Sequence, residues 1–212
     1  MEYFIQTIAV YAIPVIFAIT LHEAAHGYVA KGLGDTTAYA LGRVSLNPLR
    51  HIDPLGTIVV PAALFATTGF VFGWAKPVPV NYHALRQPKR DMMWVAAAGP
   101  AANAVMALGW ALVFKLATLS GGATGDYLYE IGKAGIMVNV ILMVLNLLPI
   151  PPLDGGRILV GLLPNRLAWS FARIEPFGFP ILLLLLVTNA LTVILTPMVL
   201  MSYQLIGVLF QL

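Results

Sequence analysis

Five long apolar runs restrict this chain to folds that a lipid bilayer can accommodate. They cover about residues 4–30, 54–72, 92–118, 132–150 and 178–212. Most of them reach the ~20 residues that a helix needs to cross the hydrocarbon core. Charged residues make up 10% of the sequence, against roughly 25% in a soluble domain. We therefore predict a single domain over residues 1–212, an all-α polytopic membrane protein with about five or six membrane segments.

The positions of the membrane segments follow from these runs and from the prolines. The second segment is expected to return through residues 72–82, because Pro77 and Pro79 forbid a regular helix there and favour an extended path. A full in-and-out pass and a shallow re-entrant helix both remain open for this part of the chain. The segments are expected at about 4–31, 54–72 with the returning stretch 72–82, 92–118, 132–150 and 178–212.

Two other regions carry weaker patterns. Within residues 36–50, apolar and polar side chains alternate in two short runs on either side of Gly42. This pattern predicts a short β-hairpin at the membrane surface. Residues 178–212 are long enough for one tilted span or for two short spans broken near Asn189 to Pro197.

The distribution of basic residues predicts which ends of the segments share a side. If residues 54–82 enter the membrane and return, nine basic residues lie on one side and two on the other. Basic loops remain cytoplasmic, so the ends of segments 4–31 and 132–150 should meet near the cytoplasmic face. The nine are Lys31, Arg43, Arg50, Arg86, Lys89, Arg90, Arg157, Arg166 and Arg173, and the two are Lys115 and Lys133.

Ionisable residues near those two ends have the spacing of a metal site. His22 and His26 are four residues apart on a predicted helix, so both imidazoles project from one face and can bind one metal ion. Glu23 is placed to hold a metal-bound water. Catalytic zinc normally takes three protein ligands, and the chain has no cysteine to supply a thiolate. Asp154 is the best candidate for the third ligand.

Several other polar residues leave alternatives open. Asp35 and Asp53 compete with Asp154 as a ligand, being expected on the same side of the membrane. Asn146 could hydrogen-bond a tetrahedral oxyanion or the substrate backbone, or it could join two helices. Asn103 is expected to join helices. His51 and His83 are expected to be surface residues beside arginines.

Three motifs together resemble the site-2 protease family of intramembrane zinc metallopeptidases. They are HEAAHG at 22–27, GPAAN at 99–103 and NLLPIPPLDGG at 146–156. NPLRHIDPLGT and GWAKPVPVN further resemble its compact prokaryotic-type subgroup, which lacks PDZ and CBS domains. The resemblance implies that His22, His26 and Asp154 bind one Zn²⁺ and that Glu23 is the general base.

The same resemblance implies a partner and a location. Asn146 and Pro152 match the family's asparagine and proline ahead of the aspartate. The expected substrate is a membrane-anchored protein, cleaved in or near its transmembrane segment, in a prokaryotic cytoplasmic membrane. An extended stretch beside the metal could pair with the unwound substrate as an added strand.

Rival functions are weaker but distinct. An ion or metal transporter could use intramembrane His, Glu and Asp, although here these residues gather at one depth. A CAAX-type protease would show a different pattern, and an inactive metal-binding scaffold has no need of Glu23. The net charge of +3 is small and the basic residues are scattered, which argues against a nucleic-acid partner.

Overall fold

Helices make up most of the part of the chain that the structure describes. A computed structural model describes residues 2–60, Ala63 and residues 75–212. Three single turns accompany the helices: 3₁₀ turns at Pro48–Arg50 and Tyr82–Ala84, and a π-helical turn at Pro54–Val59. In the described residues the α-helices are α1 Glu2–Gly32, α2 Thr37–Ala40, α3 Pro88–Thr118, α4 Gly122–Asn146, α5 Asp154–Leu162, α6 Asn165–Ala172, α7 Glu175–Val187 and α8 Ala190–Phe210.

Four of these helices, α1, α3, α4 and α8, are long and apolar enough to cross a membrane. The pair α6 and α7 is bent by 62° at the short break between them and would make a fifth span if counted as one. The prediction of an all-α polytopic protein is confirmed. Helix α4 begins ten residues earlier than the predicted 132 because the polar stretch before that position continues the same helix.

Small residues bring α3 and α4 into close contact. A Cβ on Gly135 would lie 2.2 Å from Cγ of Trp110, and one on Gly132 would lie 2.9 Å from the backbone of Phe114. Such stripes of small residues let membrane helices approach closely, where packing rather than water exclusion stabilises the contact. The close approach places Asn103 of α3 against Asn139 of α4.

The predicted β-hairpin at 36–50 is wrong. Those residues form α2 and the Pro48–Arg50 turn, and no strand occurs in the described part of the chain. The carboxylate of Asp35 accepts a hydrogen bond from the amide of Thr37 at 2.9 Å and so supports the start of α2. Gly42, at φ +64°, ends that helix rather than turning a hairpin. The alternation of apolar and polar side chains carries no information about these local hydrogen bonds.

Much of the predicted passage through 54–82 lies outside the described residues, namely at 61–62 and 64–74. The described parts are the turn Pro54–Val59 and the irregular stretch 75–81. Asp53 caps the start of the turn by accepting a hydrogen bond from the amide of Gly56 at 2.7 Å. That stretch agrees with the predicted loss of helix around Pro77 and Pro79.

The region 178–212 contains most of α7 and all of α8. Helices α7 and α8 meet at Thr188 and Asn189, and Asn189 adopts a left-handed conformation with φ of 60°. Pro197 lies inside α8 without ending it. The break is therefore at the asparagine, which tolerates positive φ better than most residues.

Candidate metal centre

The last turns of α1 carry the two histidines and the glutamate. The rings of His22 and His26 lie 4.7 Å apart between centroids and nearly perpendicular, at 84°. Both histidines are buried, whereas Glu23 is half-buried. The four-residue spacing has placed the imidazoles on one face, as predicted.

Asp154, the first residue of α5, lies directly against both rings. Its Oδ2 is 3.2 Å from Nε2 of His22 and 3.4 Å from Nε2 of His26. Among the described residues, His22, His26 and Asp154 form a group whose side-chain atoms could bind one metal ion. We call these three residues the metal group. The predicted meeting of the end of α1 with the break after α4 is confirmed.

Two glycines fix the position of Asp154. A Cβ on Gly155 would lie 2.3 Å from the carbonyl oxygen of Leu147, and one on Gly156 would lie 2.4 Å from the backbone nitrogen of Pro151. The first turn of α5 therefore packs directly on the backbone that leaves α4. Side chains at either position would push Asp154 away from the histidines.

The hydrogen bonds of the histidines determine which ring nitrogens face Asp154 with a lone pair. Nδ1 of His26 contacts the carbonyl oxygen of Val95 at 2.7 Å, and Nδ1 of His22 contacts Oδ1 of Asn103 at 2.6 Å. These oxygens only accept, so each Nδ1 carries the hydrogen and each neutral ring keeps its Nε2 lone pair. Two nitrogen lone pairs and a carboxylate oxygen therefore converge on one point.

This convergence fits a bound cation. Oδ2 of Asp154 is buried and has no hydrogen-bond partner, and an orphaned buried carboxylate oxygen is costly. Tetrahedral zinc with bonds of ~2.1 Å separates its ligand atoms by about 3.4 Å, close to the two measured separations. The nitrogen and oxygen donors also suit zinc.

A second layer of hydrogen bonds orients His22. Asn103, on α3, donates from Nδ2 to the carbonyl of Ala18 at 3.3 Å and to Oδ1 of Asn139 at 3.0 Å. Asn139 in turn donates to the carbonyl of Gly135 at 2.9 Å. Both asparagines are fully buried. The expected helix-joining role of Asn103 is confirmed, but its contact with His22 was missed.

Two further residues at the centre escaped sequence reasoning. Asn139 is an amide within an apolar membrane segment, and that polarity was the available signal. Gly99 lies behind the metal group, where a Cβ would be 2.5 Å from Nε2 of both His22 and His26. Its motif GPAAN pointed to the region, but only the helix crossing shows why the position lacks a side chain.

A cavity of about 170 Å³ opens in front of the metal group. Asn146 lines it, and its Nδ2 donates to the carbonyl of Leu142 at 3.0 Å within α4. Glu23 also lines it, and Oε2 of Glu23 accepts a hydrogen bond from the amide of Val78 at 2.8 Å. That amide is therefore occupied and is not free to pair with a substrate strand.

The other candidate residues lie outside the metal group. Asp35 is fully buried and accepts from the amides of Thr37 and Asn81, while Asp53 caps a turn. His83 is exposed as predicted.

The prediction of a surface position for His51 is wrong. Its side chain is 2% exposed, and Nε2 contacts the carbonyl of Ser45 at 2.8 Å. Its own carbonyl accepts from the amide of Lys76 at 2.9 Å. The loop folds over this histidine to make those backbone contacts.

Comparison with known proteins agrees with this geometry. YwhC of Bacillus subtilis (strain 168), named as a candidate zinc metalloprotease, is 38% identical over 193 residues, which cover 88% of this chain and 84% of YwhC. The model of peptidase family M50 matches residues 122–188, which include Asp154. The chain belongs to peptidase family M50. The resemblance of its motifs to the site-2 proteases is thereby confirmed.

A second relative extends the likeness within the family. Rip2 of Mycolicibacterium smegmatis (strain ATCC 700084 / mc(2)155), with the same kind of name, is 33% identical over 181 residues. The match covers 83% of this chain and 66% of Rip2. No solved structure matches the chain significantly. Family membership and the four long apolar helices make this peptidase an integral membrane protein.

Proposed function

We propose that this peptidase is an intramembrane zinc metalloprotease that hydrolyses peptide bonds in or near the transmembrane segments of membrane-anchored proteins. The observation that carries the proposal is the convergence of three lone-pair atoms, from His22, His26 and Asp154, beside a glutamate in a cavity. The names of YwhC and Rip2 as candidate zinc metalloproteases support it.

Each residue of the centre has a role that its position allows. His22 and His26 would hold one zinc ion through Nε2, and Asp154 would hold it through Oδ2. Bound zinc supplies a Lewis acid that polarises a carbonyl and lowers the pKa of water. Glu23 accepts the proton of the attacking water and passes it to the leaving nitrogen. Asn146 is assigned a hydrogen bond to the substrate backbone or the oxyanion.

The proposed site lies near the cytoplasmic face of a prokaryotic cytoplasmic membrane. Lys31 follows the histidines in the last turn of α1, and Arg157 lies one turn after the start of α5. The opposite end of the bundle carries fewer basic residues, Lys115 in the last turn of α3 and Lys133 in α4. Basic residues flank membrane segments on the cytoplasmic side.

The alternative functions have less support. Transport would need ionisable residues spaced along a pathway, whereas His22, His26 and Asp154 form one compact group. An inactive scaffold would not require Glu23 beside the metal ligands. Membership of a peptidase family favours hydrolysis over both.

The proposal is tested by exchanging the carboxylate of Glu23 for an amide. The purified wild type in detergent should contain about one zinc ion per chain and cleave a model single-pass membrane substrate. Glu23→Gln should keep the zinc and lose at least about 100-fold in cleavage, since general-base catalysis contributes on that scale. Glu130→Gln, an exposed change of the same chemistry, is the matched control and should cleave normally. Cleavage that survives Glu23→Gln would contradict the assignment.

A further inference from the structure

The irregular segment 76–81 is held to the rest of the fold by hydrogen bonds from its backbone amides. The amide of Lys76 donates to the carbonyl of His51 at 2.9 Å, and the amide of Asn81 donates to Oδ2 of Asp35 at 2.6 Å. Between them, the amide of Val78 donates to Oε2 of Glu23 at 2.8 Å. Nη2 of Arg43 also donates to the carbonyl of Lys76 at 2.8 Å. The segment is therefore held at both ends and contacts the proposed base at its middle.

Two prolines preset the direction of the Val78 amide. Pro79 disfavours the helical conformation for the residue before it, and Pro77 has a fixed φ. Val78 is only 7% exposed, so its backbone has little room to turn. The donor is thus oriented before the contact with Glu23 forms.

A glycine on α1 allows the segment to come this close. Gly27 lies four residues after Glu23, and a Cβ there would be 3.3 Å from Cγ1 of Val78 and 2.8 Å from Cγ2 of Val44. The missing side chain lets Val78 lie against the face of α1 that carries Glu23.

We propose that the backbone amide of Val78 is a positioning group for Glu23, holding one carboxylate oxygen so that the other is left to accept a proton. The inference rests on the proposed function, because it assumes that Glu23 is the base. A glutamate side chain has three rotatable bonds, and a catalytic group contributes most when its geometry is fixed in advance. A charged acceptor forms the stronger class of hydrogen bond.

The direct test replaces the amide of Val78 by an ester, using the α-hydroxy analogue of valine. This removes the N–H while keeping the valine side chain. The expected result is a fall in kcat of about tenfold or more, with KM and bound zinc unchanged within about twofold. An unchanged kcat would overturn the proposal, and so would a rise in KM alone, which would make Val78 a substrate-binding residue.

The matched control is the same ester change at Asn81. The amide of Asn81 belongs to the same segment and also donates to a carboxylate. Its acceptor, Asp35, lies outside the metal group. The Asn81 ester should lower the melting temperature while leaving kcat within about twofold of wild type, since only a structural hydrogen bond is lost. A fall in kcat equal to that of the Val78 ester would overturn the proposal by assigning the effect to loosening of the segment.

Amide hydrogen exchange tests the contact without any activity measurement. In Glu23→Ala, exchange at the Val78 amide should accelerate at least about tenfold, while exchange at Asn81 stays unchanged. Equal exchange rates of the Val78 amide in wild type and in Glu23→Ala would overturn the proposal. If the wild type does not cleave at all, the proposed function fails and the positioning of a base fails with it, but the exchange result still decides whether this amide holds the carboxylate.

Discussion

Asn103 shows how a single amide can serve both the metal group and the helix bundle. Its oxygen accepts from Nδ1 of His22, while its nitrogen donates to Ala18 and Asn139. Outer partners of this kind fix the tautomer and ring orientation of a metal-binding histidine. Because its three partners, His22, Ala18 and Asn139, are all buried, water cannot replace these hydrogen bonds when the amide of Asn103 is removed.

Asn103→Ala should therefore weaken metal binding. The affinity for zinc is expected to fall by about 10- to 100-fold, the usual cost of losing a hydrogen-bond partner of a ligand. The measurement is competition with a zinc chelator of known affinity. Asn165→Ala removes an exposed asparagine at the start of α6 and should leave the affinity unchanged. Equal affinities of both variants would contradict the role of Asn103.

Gly99→Ala should disrupt the metal group sterically. The new Cβ would meet the Nε2 atoms of His22 and His26 at 2.5 Å, a separation that requires the rings to move. We expect loss of stoichiometric zinc and of cleavage in a chain that remains helical by circular dichroism.

Gly109→Ala is the matched control on the same helix. A Cβ there has nothing within 4 Å, and alanine is favoured over glycine in helices by roughly 0.5–1 kcal/mol. This variant should keep its zinc and be at least as stable as wild type. Retention of zinc by Gly99→Ala as well would show that the backbone of α3 can move aside.

The sequence predicted that His22, His26 and Asp154 lie together with Glu23 beside them, but it did not predict which residues contact them. His22 and His26 are related by the helix period, and Asp154 follows from the motif after the fourth apolar run. Gly99, Asn103 and Asn139 matter because α3 crosses α1 and α4 at those positions, and a crossing point is a property of packing. The same applies to Val78, whose contribution is a backbone amide that almost any residue would supply.

Among the secondary-structure elements, α2 depends on a buried carboxylate that sequence reasoning treated as a rival metal ligand. Burial of Asp35 disfavours its charged form, but hydrogen bonds from Thr37 and Asn81 outweigh this and leave its pKa below the usual value. A lowered folded-state pKa stabilises the fold above the unfolded pKa of about 3.9, and this stabilisation is lost as the pH falls through the folded-state value.

Asp35→Asn should therefore lower stability at neutral pH and matter less in acid. The expected loss at pH 7 is roughly 1–3 kcal/mol, because one buried charged acceptor is replaced. The measurement is thermal unfolding in detergent at pH 7 and below pH about 4. The gap in stability between Asp35→Asn and wild type should narrow in acid. Asp126→Asn, an exposed change, should show no gap at either pH. A gap that widens in acid would contradict the sign of the pKa shift.

Helix lengths and helix breaks differed in how far the sequence determined them. Apolar length predicted α1 and α3 well, because a span must match the bilayer. The hairpin prediction at 36–50 failed because Asp35 and Gly42 set local backbone hydrogen bonds that residue alternation does not report. The break at Asn189 was one of the two possibilities left open for the C-terminal region.

At the scale of the whole molecule, the proposed orientation puts the metal group near the cytoplasmic face. The chain has no cysteine, so a single introduced cysteine can be labelled without background. Ser120→Cys lies in the exposed link between α3 and α4, and Arg166→Cys lies in α6 on the side of the metal group.

A membrane-impermeant maleimide applied to intact spheroplasts should label Ser120→Cys and spare Arg166→Cys. Both should react after the membrane is opened, which serves as the control for accessibility. The expected contrast is about tenfold or more if basic residues set the topology. Labelling of Arg166→Cys in intact spheroplasts would reverse the orientation.

The buried amides of Asn103 and Asn139 have a mechanical consequence for how a polypeptide can enter. They tie α1, α3 and α4 into one block, because separating any of these helices would break a bond that no water can replace, at about 1–3 kcal/mol for each stranded group. His22 of the metal group belongs to the same block. Room for an incoming chain is therefore expected outside this block rather than between its helices, so that the contact of His22 with Asn103 is kept.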